Sequence, residues 1–440
     1  MRFPAKQRAD LASAAEKRAG TTVPNTPPAA RGTRGVVLAA GAALATAVAS
    51  AVGATPAASA APTRSTQSFG AAAGYAVDTA AAKLGASQTI LQAGQVGSRS
   101  QVPWRLVGPG WTLAEYTDGS PGVARPITLF VIDPAGGKYR IYQWAATQTP
   151  WQLIDWSGDK TRALLAQPGT RRPTLHQLVL ATGHVTTFHL PSAADVVVGY
   201  TRPDGENILV QASDGIERYS LTGALQARLI SGSQYSSALS SASGLVEVVN
   251  GGDELVLVRN AGGILRRLPV PGADAEFGGC TPVRWWNPTT VLASCMPNTT
   301  TMEPRLWLVP ISGAAPTALT PLRNGHGPDL GDLDGWRLPS GLYLQALGGC
   351  GSRFIGKEQA HGTVKVINVP GSTGNNVVVA TSGDRMLVRE FSECYPSSSV
   401  VWFNPATGVT QQVLRAPANG EGVIAIVAYD RNGEQPGNLA

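Results

Sequence analysis

An apolar strand, a glycine-bearing turn and a second strand recur seven times along this 440-residue chain, as in TLFVIDPAGGKYRIYQW, LVLVRNAGGILRRL and VVWFNPATGVTQQVL. The turn glycines are Gly137, Gly183, Gly223, Gly263, Gly313, Gly362 and Gly408, separated by 46, 40, 40, 50, 49 and 46 residues. A second set of turns alternates with them: Trp156–Lys160, Thr201–Gly205, Ser243-Gly244, Asn287-Pro288, Pro339–Gly341 and Ser382–Asp384. Pro, Asp and Gly sit there because a tight turn needs a preset or positive φ and a nearby side-chain acceptor. Each unit therefore reads as four strands in series, a to d, with tight turns between a and b and between c and d.

Four antiparallel strands per unit of about 40–50 residues is the period of a propeller. One such sheet cannot hide both of its faces, so neighbours must stack around an axis. A β-sandwich stops after roughly 100 residues, and β-helix coils are far shorter than this repeat. The sequence thus predicts an all-β, seven-bladed β-propeller of four-stranded antiparallel sheets, with six or eight blades as the alternatives if copies are degenerate. A closed ring leaves no open sheet edge. The apolar run Gly422–Asp430 is one strand beyond the last full unit, and it is expected to pair into the blade holding Trp111–Tyr116. How it shares that blade with a strand over Trp104–Gly108 is left open.

Ahead of the repeats the texture differs. Residues 35–60 hold no charge, follow Arg31 and Arg34, and end in Ala58-Ser59-Ala60. A basic segment, an apolar stretch and an Ala-x-Ala end describe a secretory signal; a membrane anchor is the competing reading, weakened by the dominance of Ala and Gly. The expected organisation is a signal peptide with a long basic region at 1–60, an Ala/Gly/Ser/Thr spacer at 61–103, the propeller at 104–430 and a tail at 431–440. Ala71–Leu84 is a short helix candidate within the spacer. The full chain carries 35 Lys and Arg against 29 Asp and Glu. Residues 1–60 hold 7 of the former and 2 of the latter, so the remaining 28 and 27 almost cancel. The basicity belongs to the leader and gives no warrant for nucleic-acid binding. The expectation is a secreted or extracytoplasmic monomer, free of the membrane after cleavage.

An oxidising compartment gives the four cysteines a role as staples. Cys280 and Cys295 flank the Asn287-Pro288 turn symmetrically, which sets them opposite one another on adjacent strands. Cys350 and Cys394 follow LYLQAL and LVREFS, at equivalent ends of b strands in neighbouring blades. Cys280–Cys295 and Cys350–Cys394 are the expected disulfides, although four cysteines allow three pairings.

Trp156-Ser157-Gly158-Asp159-Lys160 and Arg202-Pro203-Asp204-Gly205 resemble the W-S-P-D-G turn of TolB-like and WD40-like propeller repeats. With the export signal, the chain resembles secreted TolB-like propellers over residues 104–430. Residues 61–103 are too short and featureless for the α/β domain that precedes the TolB propeller, so TolB's translocation role is not carried over. The resemblance implies fold rather than activity.

Asp159, Asp204 and Asp384 read as turn formers. Both tight-turn sets are expected on one face of the disc and the longer b–c and d–a loops on the other, where binding residues accumulate. The most irregular loop, Asn324–Gly335, offers Asp329, Asp332 and Asp334 as oxygen ligands for calcium, against a solvated acidic loop as the plainer reading; it lacks the terminal Glu of an EF-hand. Arg171, Arg172, Glu303 and His326 are candidates for a ligand mouth on the same side. Trp285, Trp286 and Trp307 fit a carbohydrate platform or, more economically, packing between blades. The histidines show no zincin pattern, and no nucleophile elbow or Walker loop occurs. The leading expectation is a non-enzymatic propeller binding a protein, peptide or cell-envelope ligand on its loop face. A secreted hydrolase or lyase with an axial, metal-assisted site is the alternative.

Overall fold

The computed structural model describes residues 90–119, 125–146, 151–167, 173–191, 196–274, 279–297, 303–323, 329–372, 374–391, 397–418 and 420–430. The signal and tail expectations, the helix candidate at Ala71–Leu84, and Arg171, Arg172, His326 and Cys394 lie outside them, as does the Cys350 side chain. Among the described residues no helix is long and apolar enough to cross a membrane.

Among the described residues twenty-nine strands make seven blades. Blade 1 contains β1 (Val96–Ser98), β2 (Thr112–Thr117), β3 (Ile127–Ile132) and β4 (Lys138–Trp144). Blade 2 is β5 (Gln152–Trp156), β6 (Arg162–Gln167), β7 (Thr174–Val179) and β8 (Val185–His189). Blade 3 is β9 (Val196–Tyr200), β10 (Asn207–Ala212), β11 (Gly215–Ser220) and β12 (Leu225–Ser231). Blade 4 is β13 (Ala238–Ser240), β14 (Val246–Asn250), β15 (Glu254–Arg259) and β16 (Ile264–Pro269). Blade 5 is β17 (Cys280–Asn287), β18 (Thr290–Cys295), β19 (Arg305–Pro310) and β20 (Thr317–Ala318). Blade 6 is β21 (Asp332–Leu338), β22 (Gly341–Leu347), β23 (Arg353–Glu358) and β24 (Val364–Ile367). Blade 7 is β25 (Asn375–Ser382), β26 (Arg385–Phe391), β27 (Ser398–Phe403) and β28 (Thr410–Leu414). The last strand, β29 (Gly422–Ala428), returns to blade 1.

The ring closes as expected. β29 pairs antiparallel with β2, from Thr112 opposite Ala428 to Thr117 opposite Gly422, and becomes the innermost strand of blade 1. One parallel pair, Ser398 with Gly422, joins it to blade 7. Trp104–Gly108 is not a strand. Instead β1, inside the segment read as spacer, adds in parallel to the outer edge of β4; three residues carry no alternation that a sequence reading can detect.

Seven apolar clusters fill the seven gaps between blades. In β6, Leu165 faces blade 1 and Leu164 faces blade 3, because successive side chains of a strand point to opposite faces. Burial on both faces explains why the inner strands read as nearly continuous apolar runs. Trp285 and Trp307 are buried in the gap between blades 4 and 5, and the Trp285 indole donates to Ser240 O at 2.7 Å. That is the packing role rather than a sugar platform.

A bulge interrupts the pairing of the innermost strand in six blades, while β13 pairs with β14 in regular register in blade 4. The skipped residues are Ile154, Val198, Val283, Leu333, Val379 and Ile424 in blades 2, 3, 5, 6, 7 and 1. A bulge leaves its extra residue unpaired and bends the strand. All six are apolar, and Ile154, Val198, Val283 and Val379 pack into the gaps between blades.

The turns between third and fourth strands lie at the same end of each sheet as the turns between first and second, as expected: in blade 4 Asn260 of the one donates to Gly244 O of the other at 2.7 Å. The turns between third and fourth strands also dock on the outer part of the preceding blade: Gly223 faces Phe188 of β8, Gly313 faces Arg266 of β16 and Gly362 faces Pro321, just past β20. The right-handed twist of roughly 20–25° per strand accumulates over three steps and swings the outer hairpin sideways. Gly223 shows why glycine is needed, since φ is +84° and a Cβ would lie 2.6 Å from the Phe188 ring. In blade 1 the positive φ belongs to Gly136 rather than Gly137.

Cys280 and Cys295 are cross-strand partners and form a disulfide. It closes a loop with sequence separation 15, for which chain entropy gives about 3 kcal/mol. Replacing both cysteines by alanine is expected to lower stability by about that amount in urea melts, and a change within error would show that the hairpin is already fixed by packing.

Candidate functional site

Charged residues inside apolar strands are the outstanding feature of the inner ring. Asp155, in QLIDW of β5, follows the bulge residue and is buried. Its Oδ1 accepts from Trp156 N at 2.8 Å and Arg202 Nη2 at 3.0 Å; its Oδ2 accepts from Tyr200 N at 2.8 Å and Arg202 Nη1 at 3.1 Å. Blades 2 and 3 are thereby locked through a two-pronged ion pair. A Cβ on Gly199 would sit 2.8 Å from Asp155 Oδ2, so glycine there makes room for the carboxylate.

The same construction recurs between blades 5 and 6. Arg284 donates to Asp334 at 3.0 Å, and Asp334 also accepts from Gly335 N at 2.7 Å. Burial pushes the Asp334 carboxyl above its ordinary range, against the pull of Arg284. Beside it, Arg323 binds Asp329 at 2.9 Å, Asp332 at 3.0 Å and Glu358 at 3.3 Å. Desolvation, with Asp329 nearby, raises Asp332 to about 7.

This decides the acidic loop. Asp329, Asp332 and Asp334 are all buried, and each is held by an arginine. The solvated-loop reading is corrected, because Asp332 and Asp334 belong to the inner strand β21 rather than to a loop and meet their arginines there. Among the described residues no group of three or more His, Cys, Asp or Glu is arranged to hold a metal. Glu303 is buried as well, at 3% exposure, and does not line an open mouth. Asp159 is a turn former: it accepts from Thr161 N at 3.0 Å and from Arg162 at 2.8 Å.

Second strands carry a further polar position that reaches into the next blade. Ser294 donates to Asp332 O at 3.2 Å, Gln345 to Asn376 O at 2.8 Å and Arg389 to Val423 O at 2.9 Å. Glu115 of β2 also reaches the next blade, in the opposite sense, by accepting from the Leu153 backbone. These residues, with Asp155, Arg202 and Arg284, escape a motif search. Their signal is a lone polar side chain in an apolar strand: TLAEYT, QLIDW, LYLQAL.

Among the described residues Glu115 and Glu247 are buried with no arginine within ion-pair distance. Glu115 Oε1 and Glu247 Oε2 lack hydrogen-bond partners, and burial raises both groups to about 8. Glu247 accepts from the Ser240 hydroxyl at 3.1 Å. Both are neutral in the folded protein at pH 7, whereas an unfolded chain ionises them near 4.5. Their contribution to stability is complete below pH 4.5 and is lost as pH rises through 8, at about 1.4 kcal/mol per pH unit per group. The Glu115→Gln/Glu247→Gln protein is therefore expected to keep its melting temperature between pH 6 and 9 better than the parent. Parallel pH profiles would reject the assignment.

An open groove of about 670 Å³ lies at the seam between blades 7 and 1. Pro109 and Trp111 line it from the segment entering β2, and Pro134 and Ala135 from the β3–β4 turn. Ile90 and Leu106 add apolar surface, and Arg385 and Gln411 come from blade 7. Its volume is in the range of small-ligand sites. No residue chosen from the sequence lies in it, because it is assembled from both ends of the chain.

No family model and no curated protein matches the sequence. Similar solved structures include a puromycin-hydrolyzing peptidase of Mycobacterium tuberculosis, 16% identical, TM-score 0.42, over 74% of this chain and 56% of the peptidase. Another is the propeller domain of the Trilobed protease of Pyrococcus furiosus, 10% identical, TM-score 0.47, over 70% and 95%. A putative TolB of Agrobacterium tumefaciens is 12% identical, TM-score 0.37, over 73% and 100%. This chain spans little more than half of the peptidase. The fold is a β-propeller.

Proposed function

We propose that the chain is an exported, non-enzymatic propeller that binds a protein, peptide or cell-envelope ligand. One observation carries the reading. Every acidic residue of the innermost strands, Asp155, Asp332 and Asp334, is buried against an arginine. A general acid or base needs a group within reach of substrate and of its proton, and these carboxylates are spent on holding blades together. The Cys280–Cys295 disulfide and the charge-free run at residues 35–60 support export, with cleavage after Ala60.

The test is a hydrolase and lyase substrate panel, with metal analysis, on the purified protein. No turnover above buffer is expected. Sustained turnover that Asp334→Asn abolishes without lowering the melting temperature would overturn the reading. Mass spectrometry of the exported product, expected to begin at Ala61, checks the localisation.

A further inference from the structure

The groove at the seam has the composition of a selective site and not only of a packing defect. Arg385 is its one charged lining residue. Among the described residues no carboxylate lies within ion-pair distance of it. Its guanidinium stacks over the Trp402 ring, 5.0 Å from the centroid, and Nη1 donates to Gln411 Oε1 at 3.4 Å. Gln411 in turn donates to Ala135 O across the seam. The cation is thus set by one aromatic face and one amide, with donors left over at the groove. Around it the surface is hydrocarbon: Leu106 is 47% exposed and Ile90 39%, with Pro109 and Pro134 between. Exposed apolar side chains beside one uncompensated guanidinium complement a ligand with an apolar body and a single anionic end. A planar guanidinium matches a carboxylate through paired donors.

We propose that this groove binds a small apolar monocarboxylate, with its carboxylate on Arg385 and its hydrocarbon part against Leu106, Pro109 and Pro134. The proposal rests on the reading of the protein as a binding propeller and gives one site its ligand chemistry. Rigid prolines and the buried Trp111 mean that the walls are in place before the ligand arrives, which lowers the ordering cost of binding.

The experiment is isothermal titration of the purified full chain with octanoate and 4-phenylbutyrate, each paired with its neutral amide. The acids are expected to bind at least tenfold more tightly than the amides. Arg385→Gln should remove that preference. Because Arg385 also stacks on Trp402, a second variant is needed: Leu106→Glu, on an exposed side chain, should abolish binding of the acids with an unchanged melting temperature. Equal affinity for acid and amide, no binding of either acid, or unaltered binding by both variants overturns the proposal. If a hydrophobic tripeptide binds through its free C-terminus while the simple acids do not, the occupant is a peptide and the proposal fails in that form. Turnover in the substrate panel would instead overturn the binding reading itself, so the two failures are separable.

Discussion

Ending the chain at Glu421 is expected to abolish cooperative unfolding. β29 supplies the innermost strand of blade 1, and its loss leaves the edge of β2 unpaired from Thr112 to Thr117. Val423, Val427 and Tyr429 are 1%, 3% and 8% exposed; at about 1.5–3 kcal/mol per buried side chain, they alone contribute roughly 5–9 kcal/mol. A whole domain is stable by only about 5–15 kcal/mol. Deletion also removes the Tyr429 hydroxyl bond to Gly158 O at 2.7 Å and the Val423 carbonyl that accepts from Arg389, so both neighbouring gaps loosen. Circular dichroism melts of the truncated chain should be broad. A peptide of residues 422–430 added in trans should restore a sharp transition. A truncated chain that melts sharply at the parental temperature would show that the ring does not depend on this closure.

Arg202→Met should cost about 3–5 kcal/mol, because it leaves the Asp155 carboxylate buried without its counter-charge. Both side chains are only 6% exposed, so water cannot replace the missing partner. Two backbone donors, Trp156 N and Tyr200 N, remain on Asp155, and they hold the orphaned charge in place rather than letting it turn outward. Adding Asp155→Leu should recover much of the loss, since an apolar pair of similar volume is often as stable as a buried ion pair. Chemical denaturation of the two single variants and the double variant gives the coupling. If Arg202→Met costs under about 1 kcal/mol, the pair behaves like an exposed salt bridge and the inner ring is held by packing alone.

Blade number, strand order and the closing strand were legible because they depend on short-range pattern. A glycine that must take positive φ, or a Pro-Asp-Gly turn, announces itself in a few residues wherever it occurs, and seven copies reinforce one another. Cys280 and Cys295 were legible for the same reason, being equidistant from a single turn. β1 was not, since Val96–Ser98 is held by pairing with Lys138–Arg140 and by no propensity of its own.

The candidate site was barely legible. Asp329, Asp332 and Asp334 are close in sequence, yet Arg323 gathers the first two and Arg284 takes the third, and all three are buried. Arg385 and Trp111 stand far apart in the chain and become neighbours only when blade 7 meets blade 1. Local sequence determined which segments form strands and where they turn, because backbone conformation is set by adjacent residues. Which side chains share a gap, which charges meet a partner and which cation is left facing an apolar groove were decided by ring closure and cumulative twist, since those depend on contacts hundreds of residues apart.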